Sequence, residues 1–327
     1  MVQMSILVTG GAGFIGSHLC EQLIEDGHKV VAIDNLSTGR IENVYHLRNH
    51  SSFQFVKENI LNQQVLEDYA RDSDVIVHLA AAVGVKLIVE DPVHTINTNV
   101  MGTEAILKIA NRYNCKTILA SSSEVYGKSN NVPFQEDDDC LIGPTTNSRW
   151  AYATSKAVDE FLGLAYFHQY NLPVIVIRLF NTIGPRQIGR YGMVVPRFVR
   201  QALSGEPLQV YGEGTQTRCF ADVNDVVSAI IKLLQHDQAY GQVFNIGSTE
   251  EISIISLAQR VIQLTGSRSS IEFLSYDDAY APGFEDMKRR VPSTEKLYRY
   301  IKLKPRYNLD DTLIRVIQYV QQQSKDQ

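Results

Sequence analysis

The sequence predicts an α/β fold built on a doubly wound parallel sheet, with a smaller region toward the C-terminus. Short apolar runs alternate with helix-length amphipathic segments: "SILV" (5–8), "KVVAI" (29–33), "FQFV" (53–56), "DVIVHL" (74–79), "TILA" (117–120) and "VIVIRLF" (174–180). That rhythm means βαβ units, whose right-handed crossovers place helices on both faces of a parallel sheet. Past Phe180 the rhythm fails, and "NTIGPRQIGRYGMVVPRF" and "GEPLQVYGEGTQTRCF" read as Gly-, Pro- and Arg-rich loops around short elements.

The predicted organisation is therefore a first domain over residues 1–180 and a second over 181–220 and 248–327. "DVNDVVSAIIKLL" and "QVFNIGS" read as one more helix and strand, so that 221–247 returns to the first sheet. The acidic run Glu136 to Asp139 reads as a solvated turn.

A chain of 327 residues with 44% hydrophobic and 20% charged residues buries a sizeable core. The net charge of −5 argues against a nucleic-acid or anionic-membrane partner, which needs a basic face. Cys20, Cys115, Cys140 and Cys219 form no CxxC pair, so neither a disulfide framework nor a metal site is expected. "SILVTGG" follows the first residues with no leader pattern, and no apolar stretch reaches the ~20 residues of a membrane span. The expectation is a cytoplasmic protein.

"VTGGAGFIGSHL" (8–19) joins the first strand to an amphipathic helix. Gly10 allows the tight turn, Gly13 lets backbone amides approach a pyrophosphate, and Gly16 lets helix and strand pack closely, with the helix N-terminus facing the anion. The second strand ends in Asp34, about 20 residues further on, where an acid holds a ribose diol and repels a 2′-phosphate. NAD is the expected cofactor.

Two further stretches carry candidate chemistry. "SSSEVYG" (121–127) puts hydroxyls and a carboxylate at the C-terminal end of a central strand, where open α/β sheets bind ligands. "RWAYATSKAVDEF" (149–161) places Tyr152 and Lys156 at i,i+4, on one helix face. A lysine beside a phenol and near a cationic nicotinamide lowers the phenol's pKa from ~10, so the phenol serves as a base.

Together the TGxxGxxG turn, "HLAAAVGV", Asn99 in "NTNVMGT", the serine-bearing strand end and YxxxK resemble the extended short-chain dehydrogenase/reductase family of nucleotide-sugar epimerases, dehydratases and decarboxylases. The resemblance implies a Rossmann domain holding NAD, a C-terminal domain holding a UDP-sugar, and a homodimer built on a four-helix bundle. It implies Tyr152 as base, Lys156 on the nicotinamide ribose and Ser122 on the sugar 4-hydroxyl. Around the cofactor it implies, besides the three glycines, Asp34 and the Tyr152–Lys156 pair, the residues Phe14, Ile15, Asn35, Gly39, Asn59, Ile60, Leu79, Ala80, Ala81, Asn99 and Ser121. Asn59 stands where the family usually has an Asp that receives the adenine amino group. For the substrate it implies Ser123, Arg149, Asn181, Arg186, Val195, Tyr211, Arg218 and Arg290. Because arginine makes bidentate contacts with phosphate or carboxylate, Arg186, Arg218, Arg289 and Arg290 in a negatively charged protein suggest a local anion site.

Within that family, "SEVYG", Gly143, Pro144 and Arg149, "FNTIGPR", "GEPLQVYGEGTQTRCF" and Arg290 before Pro292 are most similar to the UDP-glucuronate decarboxylases. Glu124 counts against plain 4-epimerisation, which needs no acid or base at sugar carbon 5. The resemblance thus implies conversion of UDP-glucuronate to UDP-xylose through a 4-ketone. A UDP-hexose or UDP-hexuronate 4-epimerase is the main alternative, then a UDP-sugar dehydratase. A non-catalytic NAD sensor would be expected to have lost Ser122, Tyr152 or Lys156. The loops "AAVGVKLIVEDP" and "YDDAYAPGFEDMKRRVPS" depart from the decarboxylase pattern.

Overall fold

The computed structural model describes residues 2–84, 91–189, 193–275 and 287–323. Much of the two departing loops, 85–90 and 276–286, lies outside the described residues.

Seven strands form one parallel sheet: β1 (Ser5–Thr9), β2 (Lys29–Asp34), β3 (Phe53–Lys57), β4 (Val75–His78), β5 (Lys116–Ser122), β6 (Val174–Leu179) and, far along the chain, β11 (Gln242–Ile246). Their spatial order is β3-β2-β1-β4-β5-β6-β11. The order reverses between β1 and β4, which opens a crevice at the carboxyl ends of those strands. The six strands read from the apolar runs are present. β5 runs further than its apolar run, because Ser121 and Ser122 pair with Arg178 and Leu179 of β6.

Period-two alternation sends successive side chains to opposite faces of the sheet. Ile6, Val8, Val75, Val77, Ile175 and Ile177 meet Leu19 and Leu23 of the helix Phe14–Glu25 and Val226 and Ile230 of the helix Val223–Leu234. Leu7, Ile76, Val174 and Val176 meet Leu66, from the helix Gln63–Ala70, and Ile106 and Ala110, from the helix Pro92–Tyr113. The last of these starts cleanly: Asp91 accepts the amide of His94, and Pro92, with no N–H to leave unpaired, occupies the first turn.

The remaining strands are short. β7 (Thr182–Ile183) pairs with β10 (Ala221–Asp222), β8 (Leu208–Tyr211) with β13 (Ile271–Leu274), and β9 (Thr217–Cys219) with β12 (Glu251–Ser253). A third core joins the helices Val194–Ser204, Ile254–Thr265 and Leu309–Gln323 through Val195, Phe198, Leu257, Val261, Leu313 and Ile317. Burying each large side chain here contributes about 1.5–3 kcal/mol. The helix Glu295–Ile301 gives Leu297 and Ile301 instead to the cluster containing Phe244 on the central sheet. The chain thus crosses between the two regions repeatedly, which leaves a cleft between them.

Candidate active site

The cleft holds about 570 Å³ and runs from the β1 turn, past the end of β5, to the loops carrying Arg218 and Arg290. At its first end Gly10 has φ +71, and a Cβ there would stand 2.8 Å from the Ala80 nitrogen. A Cβ on Gly16 would stand 2.1 Å from the Gly10 carbonyl oxygen. The turn is therefore closed to larger residues, and this glycine-lined cradle fits a dinucleotide's pyrophosphate. Asp34 accepts the amides of Ala12 at 3.0 Å and Leu36 at 2.8 Å, and Gly39 packs against its carboxylate. Burial pushes the Asp34 carboxyl up, against the amides of Leu36, Ala12 and Gly13.

Phe14, Ile15, Asn35, Asn59, Ile60, Leu79, Ala80, Ala81 and Ser121 also line the cleft. Asn59 spends one acceptor position of its amide oxygen on the Leu61 amide at 2.9 Å. Asn99 does not line the cleft. Fully buried behind its wall, it accepts the Ala82 amide at 2.9 Å and donates to the Ser155 hydroxyl at 3.0 Å, so it braces the loop after β4.

At the end of β5 the backbone turns sharply. The Ser122 hydroxyl accepts the amide of Glu124 at 3.2 Å, capping a single 3₁₀ turn over Ser123–Tyr126 that aims Glu124 into the cleft. Ser123 is buried and lines the cleft beside it. Glu124 lies between two guanidinium groups, with Arg290 Nη2 at 2.7 Å from Oε1 and Arg149 Nη2 at 2.9 Å from Oε2. Burial would raise its pKa, but Arg290, Arg149 and Arg218 together hold the carboxyl at about 2. Glu124 is therefore ionised at neutral pH, held among guanidinium groups that come from three separate segments of the chain.

Tyr152 and Lys156, on the helix Trp150–Tyr170, both line the cleft, and the Tyr152 phenol hydrogen-bonds with Ser122. Lys156 donates to the Ala120 carbonyl and to Asp159 Oδ2, each at 3.0 Å. Within the protein itself, burial, then the Glu124 charge, push the phenol's pKa up, against Ser122 and Arg290, while Asp159 adds to the rise. The largest cause is the burial of the phenol, whereas the expected lowering counts on the positive charge of a nicotinamide ring, which comes with the cofactor.

The predicted anion site is only partly assembled. Arg218 and Arg290 face the cleft, joined by Arg149. Arg186 lines it too but is paired with Glu21 at 2.9 Å, and Arg289 lies on the surface in a bidentate pair with Glu251. Asn181 lines the cleft and donates to the Cys219 carbonyl at 3.4 Å. Val195 and Tyr211 form the far wall, where the guanidinium of Arg197 lies 4.0 Å from the Tyr211 ring centroid. The sequence reading missed Arg197. Its three-residue spacing from Val194 and Arg200 on a helix gives no signal that this arginine, rather than its neighbour, turns inward.

A glycine-cradled crevice at the strand-order reversal, beside a Ser–Tyr–Lys cluster, defines a dinucleotide-dependent enzyme of the Rossmann type. Residues 6–247 match the NAD dependent epimerase/dehydratase family, and the chain belongs to it. It is 42% identical over 321 residues to a UDP-N-acetyl-alpha-D-glucosaminuronate decarboxylase of Bacillus cytotoxicus, covering 98% of each chain. It is 37% identical to UDP-glucuronic acid decarboxylase 1 of Danio rerio, over 98% of this chain and 74% of that one. Among solved structures, UDP-glucuronic acid 4-epimerase from Bacillus cereus, in complex with UDP-glucuronic acid and NAD, superposes with a TM-score of 0.86 at 32% identity, covering 98% of this chain and 100% of that one.

Proposed function

We propose that this protein decarboxylates UDP-glucuronate to UDP-xylose through a 4-keto sugar. The observation that carries the reading is the Arg149–Glu124–Arg290 cluster beside Tyr152, because guanidinium groups at the reacting end of the cleft suit a substrate carboxylate. Gly10, Gly13, Gly16, Asp34 and Lys156 would hold NAD, which would supply the two-electron acceptor for hydride from sugar carbon 4 and later return that hydride. Tyr152 takes the proton of the 4-hydroxyl, and Ser122 holds that oxygen. The resulting ketone is β to the carboxylate, so the bond from carbon 5 to carbon 6 breaks with its electron pair drawn into an enolate at carbon 4. Arg290 and Arg149 orient the departing carboxylate. Glu124, already ionised, accepts a hydrogen bond from a water that protonates carbon 5.

A second reading, a substrate N-acetylated at carbon 2, is favoured by the name of the Bacillus cytotoxicus relative. Incubation with NAD and, separately, UDP-glucuronate, UDP-N-acetylglucosaminuronate and UDP-glucose, followed by product mass, tests both. Loss of carbon dioxide from UDP-glucuronate is the expected result. Loss only from the acetylated uronate selects the second reading, and unchanged mass with inverted carbon 4 would make the protein an epimerase.

The reading includes a homodimer paired through the helices Pro92–Tyr113 and Trp150–Tyr170. In its support, Val93, Met101 and Phe161 on these helices are 67%, 50% and 76% exposed, and an apolar surface of this kind is covered when helices meet. Among the described residues no helix is long and apolar enough to cross a membrane, and the reading places the enzyme in the cytoplasm.

A further inference from the structure

Asp159 lies one turn beyond Lys156 on the same helix face, and both side chains are 3% exposed. It is absent from the cleft lining, whereas Lys156 belongs to it. A lysine ammonium has three N–H donors. Two are spent, on Asp159 Oδ2 and on the Ala120 carbonyl, each at 3.0 Å, so one remains for the cleft. As a device for stability the pair is poor, since desolvating two charges offsets most of their attraction. Its geometry instead fixes which way the ammonium points and how much of its charge reaches the phenol one turn earlier.

The surrounding charges leave this task to Asp159. Glu160, the next residue, is turned away and bound to Arg178 at 2.8 Å and to the Ser121 hydroxyl. His78, at the end of β4, accepts or donates at Nδ1 with Thr9, and burial together with the Lys156 charge holds it neutral, with a pKa of about 3. Burial pushes the Asp159 carboxyl up, against the Lys156 charge and hydrogen bond and the Thr103 hydroxyl on the helix Pro92–Tyr113, while Glu160 adds to the rise. The phenol itself feels Glu124 and Asp159 as anions and Arg290 as a cation.

We propose that Asp159 is a positioning residue for the reaction, holding the Lys156 ammonium with a single N–H toward the cleft and masking its charge, and so setting the pH range over which Tyr152 works as a base. This rests on Tyr152 being the base. The base form is the phenolate, so kcat/KM rises with pH through the phenol's pKa. A nearby carboxylate opposes the phenolate and keeps that rise at higher pH, and its removal moves the rise down.

The test is the pH dependence of kcat/KM for the NAD-loaded enzyme with UDP-glucuronate or, if that is not turned over, UDP-N-acetylglucosaminuronate, with melting temperature recorded alongside. In Asp159→Asn and Asp159→Ser the rising limb is expected to move down by about one pH unit, while Asp159→Glu restores the wild-type midpoint. A midpoint unmoved in the neutral variants overturns the proposal, whatever the melting temperature does. So does loss of folded protein in both neutral variants while Asp159→Glu folds, because the charge then serves stability alone. Tyr152→Phe run in parallel separates the two claims: its retained turnover would remove the base reading itself, whereas its loss with an unmoved limb in Asp159→Asn removes only the role of Asp159.

Discussion

Glu124→Gln keeps the side chain's shape and removes its charge from between two buried guanidinium groups. The carboxyl's pKa falls from 4.5 to about 2 in the folded protein. At about 1.4 kcal/mol per pH unit, that drop corresponds to roughly 3 kcal/mol of stability at neutral pH. An independent route gives a similar size, since removing one partner of a buried pair typically costs about 3–5 kcal/mol. The folded value lies below the unfolded one, so the stabilisation is present in full above pH 4.5 and is lost as pH falls toward 2. Urea unfolding followed by circular dichroism, on both proteins with NAD present, should show a gap of about 3 kcal/mol at neutral pH that narrows at pH values below the ordinary glutamate pKa. In turnover the variant is expected to oxidise substrate but complete few cycles, accumulating reduced NAD. A gap within the ~0.5 kcal/mol of a neutral surface change, or one that widens as pH falls, would refute the reasoning.

Tyr152→Phe should lower turnover by ~10²- to 10⁴-fold while leaving NAD bound, as measured by co-eluting cofactor absorbance. Asp34→Ala should weaken NAD and relax discrimination against NADP; equal loss for the two cofactors would count against its place beside the ribose. Phe161→Lys should shift the protein toward monomer in analytical ultracentrifugation, because a charge at so exposed an apolar position opposes burial against a second copy.

Much of the fold was legible because its signals are local. Period-two apolar runs decide which side chains face each layer of helices, and the i,i+4 spacing alone puts Tyr152 and Lys156 on one helix face. The glycine turn was equally readable at Gly16, whose close approach is to Gly10 in the same turn, whereas Gly10 itself is closed in by Leu79 and Ala80, just past the end of β4, which only folding brings there. Family resemblance in the motifs pointed to NAD and to a nucleotide sugar, in accord with the family match and with the relatives' names.

What the tertiary structure alone decided is the state of each charge. An arginine in a Gly- and Pro-rich loop looks the same in the sequence whether it faces a ligand or an acid of its own chain. Folding pairs Arg186 with Glu21 and Arg289 with Glu251, and brings Arg149 and Arg290 from separate segments onto Glu124. Asn99 is likewise a candidate ligand residue in one dimension and a brace between Ala82 and Ser155 in three. What burial and neighbouring charges do to the Tyr152 phenol is decided in the same way: desolvation and the fields of Glu124 and Asp159 act through space, and no spacing along the chain records how close those charges come or how little water lies between them.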